Sequence, residues 1–154
     1  MDDPFVGAFV EGVMVKKLKS SILLSIFRRK GGEGLYTEVI TDKNKFKYAL
    51  ILSSLKDDEE GLIIYFKNEL NWFLLSNQRI VITQQVITTV ISNDDIVEVS
   101  LDLAGQAEDR IINKAEFTRL IVSDIRNRKH KIQLEKGDPY WGIFQVLSFI
   151  SQKR

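Results

Sequence analysis

The stretch NWFLLSNQRIVITQQ, Asn71 to Gln85, sets two apolar runs around a polar centre. Runs this short, rich in β-branched and aromatic residues and bounded by turn formers, read as strands rather than helices. Asn77-Gln78 then reads as a two-residue hairpin loop, because such loops need residues that tolerate positive φ and Asn does so better than most. The pattern extends in both directions. GLIIYFK (Gly61 to Lys67) passes through the turn Lys67-Asn68-Glu69 into LNWFLLS (Leu70 to Ser76), and RIVIT (Arg79 to Thr83) follows the loop. Gln84-Gln85 makes a second tight turn into VITTVIS (Val86 to Ser92), and Asn93-Asp94-Asp95 breaks that strand. In IVEVSLDL (Ile96 to Leu103) Val97, Val99, Leu101 and Leu103 fall on one side, as period-two alternation requires. AGQAEDR reads as a loop, EFTRLIVSD (Glu116 to Asp124) as a sixth strand, and Arg126-Asn127-Arg128 as a turn into a seventh, KHKIQLE (Lys129 to Glu135).

Helical signals flank this block. Asp138 suits an N-cap and Pro139 the first helical position, and Tyr140, Ile143, Phe144, Leu147 and Ile150 have the spacing of one buried stripe. Residues 42–56 place Tyr48, Ile51, Leu52 and Leu55 at helical spacing, ending near the acidic run KDDEEG. Residues 5–30 also read as helical, apolar nearly all round the wheel, and RRKGGEG as a flexible joint. The expected organisation is an α+β chain: a helical extension over 1–56, then a domain over 57–154. In that domain seven antiparallel strands form a partly closed barrel capped by the C-terminal helix.

This layout resembles the pleckstrin-homology superfold. FLLSNQRIVIT (Phe73 to Thr83), the acidic turn NDDIVEV (Asn93 to Val99) and Glu59 and Glu60 ahead of the first strand resemble bacterial pleckstrin-homology-like families, over about residues 57–152. The resemblance implies a non-catalytic interaction module, within a superfold that hosts lipid binders, peptide binders and scaffolds alike. Animal members that grip phosphoinositide headgroups carry several bases around the first hairpin loop; here that loop holds Lys67 balanced by Glu69.

Chemistry-bearing residues are sparse. The chain has no cysteine, which removes disulfides and thiolate chemistry and fits a reducing cytoplasm. The one histidine, His130, sits between Lys129 and Lys131 and reads as a solvated strand residue. Asp57, Asp58, Glu59 and Glu60 lack the alternating oxygens and central glycine of a calcium loop and read as a solvated helix end, so no metal or cofactor is expected. Arg79, directly after the turn, reads as structural, pairing with a turn carbonyl or an acidic neighbour. Arg126, Arg128, Lys129 and Lys131 cluster without interleaved aromatics, which argues against nucleic acid, and the net charge of +1 exerts no general pull toward it. A small-ligand binder or an enzyme would need a deep polar pocket that no motif announces.

Two features point to contacts. Ile63 to Phe66, Trp72 to Leu75 and Ile80 to Ile82 are apolar without alternation, so the sheet needs cover on its outer face. Phe73, Leu75 and Val81 are the residues expected there, under the chain's own helices or a second copy. Separately, Lys16, Lys17, Lys19, Arg28, Arg29 and Lys30 flank SSILLSIF with no acid between 16 and 30. A helix there would lay Ile22, Leu23, Ile26 and Phe27 into a lipid boundary and its bases against anionic headgroups. The expectations are thus a cytoplasmic protein that binds a protein partner or itself, with peripheral attachment to the inner membrane face as the rival.

Overall fold

The computed structural model describes the backbone of residues 5–10 and 13–153 and the side chains of residues 19–153. Every sheet in it is antiparallel. Phe5–Val10 (β1) pairs with Val13–Leu18 (β2) as a hairpin of its own, and Ser20–Lys30 (α1) follows. Thr37–Val39 (β3) is a short edge strand, and a 3-10 turn at Lys45–Tyr48 runs into the one-turn helix Ala49–Leu52 (α2). Gly61–Asn68 (β4), Asn71–Ser76 (β5), Arg79–Gln84 (β6) and Ile87–Ser92 (β7) complete a five-stranded sheet in the order β3-β4-β5-β6-β7. Ile96–Leu101 (β8), then a short helix Leu103–Glu108 (α3), Arg119–Asp124 (β9) and Lys129–Gln133 (β10) give a three-stranded sheet in the order β10-β9-β8. Asp138–Gln152 (α4) closes the chain.

The seven strands expected after residue 60 are therefore present, and the helix after them starts at Asp138, with Gly137 at the cap. They divide between two sheets. One side-chain bridge joins the sheets directly: the Gln84 amide donates to the Lys131 carbonyl at 3.0 Å and accepts the Gln133 N–H at 2.8 Å. Gln84 thus does for β10 what a neighbouring strand would do.

The main core gathers the inner faces of both sheets. Ile63, Phe73, Leu75, Ile80 and Ile82 come from the larger sheet, Ile96, Leu120, Val122 and Ile132 from the smaller, and all are buried. Tyr140, Ile143, Val146, Leu147 and Ile150 of α4 fill the space between them; Phe144, expected in that stripe, is only partly buried. Leu23, Ile26 and Phe27 of α1 belong to the same core, where α1 crosses α4 closely. A Cβ on Gly31 would lie 2.4 Å from the Gly142 nitrogen, and one on Gly142 would lie 2.8 Å from Phe27 Cδ1, so both crossing points require glycine.

Several expectations are corrected. Residues 5–30 are not one helix: β1 and β2 precede α1, and their Val- and Phe-rich runs suit strands better than helix. Within the expected 1–56 extension, β3 pairs into the larger sheet and α1 packs in the main core, while β1 and β2 form a two-stranded sheet of their own. The helix over 42–56 is reduced to a 3-10 turn and one α-turn, because the Ser53 and Ser54 hydroxyls bond back to the Leu50 and Ile51 carbonyls and compete with its continuation. AGQAEDR overlaps α3 (Leu103–Glu108), which is capped by Asp102, whose Oδ1 accepts the Gly105 N–H at 2.9 Å. Asn77 does not adopt positive φ; among the described non-glycine residues Gln85, Arg110 and Asn127 do.

The cover needed over the larger sheet exists in part, on a different face from the one expected for two residues. Register pairs Leu74 with Val81 and Phe73 with Ile82. Phe73 and Leu75 therefore face the main core, whereas Val81 faces outward with Ile64 and Leu74, under Tyr48, Ile51, Leu52 and Leu55.

Replacing Leu147 by Ala should destabilise the protein by about 2 to 5 kcal/mol, the usual effect of a cavity at a fully buried leucine, read from urea unfolding. A change within about 0.5 kcal/mol would mean that α4 does not seal the core.

Candidate functional site

The outer face of the larger sheet holds the arrangement of most functional interest, and the SNQR centre determines how it is covered. The Ser76 hydroxyl accepts the N–H groups of Gln78 and Arg79, each at 3.0 Å, and donates to the buried Glu59 carboxylate. Arg79 Nε reaches Glu59 Oε2 at 2.9 Å, and its Nη2 donates to the Ser54 carbonyl at 3.0 Å. Asn77 Oδ1 accepts the Glu60 N–H at 3.0 Å, and the Asn77 N–H donates to the Glu60 carbonyl at 3.1 Å. The polar interruption is therefore a docking point. It fastens the end of the 45–55 segment and the acidic run to the β5–β6 turn, and through the Asn93 N–H on the Gln78 carbonyl it reaches the end of β7.

Glu59 is accordingly not a solvated helix end. Burial alone would raise its pKa, but the bonds from Ser76, Arg79 and the Lys56 N–H outweigh that and hold it below the usual carboxylate range. Arg79 plays the structural part expected of it.

Above this anchor the segment covers only some of the outer sheet. Tyr48 is buried, its hydroxyl donating to Glu38, which also takes Lys47 Nζ at 2.8 Å. Burial first, then that carboxylate, pushes the Tyr48 hydroxyl pKa upward, so it stays a donor. On either side of Ile51 the surface opens. A groove of about 500 Å³ is lined by Phe46, Tyr48, Leu50, Ile51, Phe66 and Trp72, with Lys47 and Glu69 at its rim. A second of about 340 Å³ shares Leu50, Ile51 and Trp72 and continues to Val81, Thr88 and Val90. Phe46 is 73% exposed, Leu50 91% and Val90 52%. The sequence signal for this surface was the lack of alternation in β5 and β6; Phe46 and Leu50, on the outer side of the covering segment, were not singled out.

The other sequence candidates fall elsewhere. Leu23, Ile26 and Phe27 are buried and Ile22 packs against the core, so the apolar side of α1 faces protein; Arg28, Arg29 and Lys30 are exposed at its end. Lys16 and Lys17 lie in β2, their side chains outside the described residues, and Lys19 directly precedes α1. His130 is paired rather than free in solvent: its Nε2 lies 2.9 Å from Oδ2 of the buried Asp124. Asp124 also accepts the Arg126 and Arg128 N–H groups and the Arg128 guanidinium, which fixes the turn in which Asn127 has φ 62°. The His130 bond, ahead of these others, holds Asp124 well below the usual carboxylate range. Among the described residues no cluster of three His, Asp or Glu side chains is placed to hold a metal ion, and no helix is long and apolar enough to cross a membrane. Compared with known protein families, curated proteins and solved structures, the chain has no match.

Replacing Arg79 by Met leaves the Glu59 charge buried without its cation and should destabilise the fold by about 3 to 5 kcal/mol, whereas pairing it with Glu59→Leu should recover much of that loss. Thermal or urea unfolding of the two variants gives the comparison; equal stability of both would show that the pair does not hold the segment. The lowered pKa values of Glu59 and Asp124 mean that the unfolded chain binds protons more readily than the folded one. Their stabilisation is present above the ordinary values of 4.5 and 3.8 and is lost as pH falls below them. Unfolding free energy measured from pH 7 to pH 3 should decline through that window, and Glu59→Gln should make the decline shallower.

Proposed function

We propose that the chain is a non-catalytic interaction module of pleckstrin-homology-like type, whose outer sheet surface binds a protein partner or a second copy. The observation that carries the reading is the pair of adjoining apolar grooves in which Phe46, Leu50 and Val90 remain largely exposed beside the mostly buried strands β4, β5 and β6. Their lining suits it. Aromatic and aliphatic side chains bury a partner's apolar residues, and the rim charges Lys47 and Glu69 would orient it rather than polarise a bond. Seven antiparallel strands followed by a helix that fills the space between two sheets support the pleckstrin-homology-like layout.

Leu50→Asp places a charge on that surface without touching the core. In affinity purification from the native source, the full chain should retain a partner that the Leu50→Asp protein loses, with both melting at the same temperature. Identical partner sets would remove this surface from the function.

A second reading, peripheral membrane attachment, is favoured by one observation: β1 and β2 form a sheet apart from the other two, with an apolar sequence followed by Lys16, Lys17 and Lys19. Lipid contact would then fall to the hairpin, since α1 already spends its apolar side on the core. Each base near an anionic surface contributes on the order of 1 kcal/mol. Full-length protein should co-sediment with phosphatidylserine-containing vesicles at low salt and release at high salt, and Lys16→Glu with Lys17→Glu should weaken it. No sedimentation at low salt would eliminate this reading.

A further inference from the structure

A sheet edge is open to strand addition unless something blocks it, and the two larger sheets have edges at β3, β7, β8 and β10. Three are blocked. On β3, only three residues long, the Thr37 carbonyl is taken by the Gly34 N–H and the Val39 N–H by Glu33. On β10, Lys129 and Lys131 bring charge, and the Gln84 amide occupies the Lys131 carbonyl and the Gln133 N–H. On β8, Glu98 sits mid-strand beside a register shift, and α4 packs against the strand. The remaining edge differs in every respect. Ile87–Ser92 has no charge, no proline and no register shift against β6, and Ile87 is 68% exposed.

The hydrogen-bonding groups on that edge follow from the turn. A two-residue loop at Gln85-Val86 makes Gln84 and Ile87 a bonded pair, so the ladder to β6 uses Ile87, Thr89 and Ile91 and leaves Thr88 and Val90 facing outward. No backbone bond outside the ladder reaches either residue among the described ones.

We propose that β7 pairs with β7 of a second copy, antiparallel about a two-fold axis at Thr89, joining two five-stranded sheets into one. This rests on the reading of the chain as an interaction module and names the second copy as the occupant. The register is self-complementary: Thr88 of each copy faces Val90 of the other, and each such pair exchanges both its hydrogen bonds. An uncharged strand meets itself without like-charge repulsion, whereas β10, with Lys129 and Lys131, would not. Isologous pairing also closes after two copies instead of growing into a filament. Val90 lines the groove shared with Leu50 and Trp72, so the joined sheets carry one apolar outer surface across the axis.

The chain has no cysteine, which makes a single introduced one a clean reporter. At Thr89 the two copies would form a non-hydrogen-bonded pair with Cα atoms about 4.5 Å apart, within disulfide reach. The 154-residue chain in light scattering should weigh about twice its own 17.7 kDa. Thr89→Cys should oxidise to a covalent dimer, and Lys129→Cys on β10 should not. Thr88→Lys with Val90→Lys should halve the weight while leaving the far-UV circular dichroism of the folded chain unchanged, and any fall in melting temperature should be no more than the loss of subunit association explains. A dimer that survives the lysines and fails to cross-link at Thr89 overturns the β7 pairing while leaving self-association at another surface. A wild-type monomer at all concentrations overturns it too, and the Leu50→Asp purification then decides whether the module reading stands with a different partner.

Discussion

Adjacent residues of a strand point to opposite faces, so a strand in which Phe73 and Leu74 are both buried must have a core on each side. That constraint organises the rest of the molecule. The inner core is supplied by α4, α1 and the three-stranded sheet, all large elements with their own hydrogen bonding. The outer core has much less to draw on. It is covered by a segment with one α-turn and one 3-10 turn, and so short a helix is not stable by itself in water. The segment must therefore be fastened at its ends.

The fastening is polar and lies where the strands are interrupted. Glu38 takes Tyr48 and Lys47 at the start of the covering segment; Glu59, Ser76 and Arg79 hold its far end. A buried carboxylate without a cation would be strongly unfavourable, which makes Arg79 obligatory once Glu59 is inside. The same logic explains why Ser76 and not a larger residue precedes the turn. Its one oxygen accepts from the β5–β6 turn and donates to Glu59, so it joins the hairpin to the cover in a single atom.

The seven strands after residue 60 and the terminal helix were legible because they rest on local pattern: turn formers between β-branched runs, then period 3.6 after Pro139. The positions that failed rest on tertiary context. Glu59 sits in an acidic run that sequence alone describes as solvated, and only the position of Arg79 across the sheet takes it inside. His130 is drawn to Asp124 by a turn, not by its neighbours Lys129 and Lys131. Phe73 and Leu75 were separable from Val81 only through the register of β5 on β6, which a doubly apolar strand does not reveal, since either register looks equally hydrophobic. Residues 5–18 show the same ambiguity, being apolar enough to satisfy a helical and a strand template alike.

Why the outer cover is incomplete follows from its composition. Residues 45–55 reach the sheet with Tyr48, Ile51, Leu52 and Leu55, while Phe46 and Leu50 fall on the opposite side and project into solvent. A segment whose only task was to seal the sheet would carry polar residues at those positions, as Lys45, Lys47 and Ser53 do beside them. Two large apolar side chains held outward cost nothing in folding when they are equally exposed in the unfolded chain, but they are free to bury surface against a partner. Their proximity to an uncharged sheet edge puts exposed apolar side chains and the open backbone of β7 on one side of the molecule. The same face is fastened by Glu59 and Arg79 at one end of the cover and by Glu38 with Tyr48 and Lys47 at the other, so the outward placement of Phe46 and Leu50 depends on both sets of contacts.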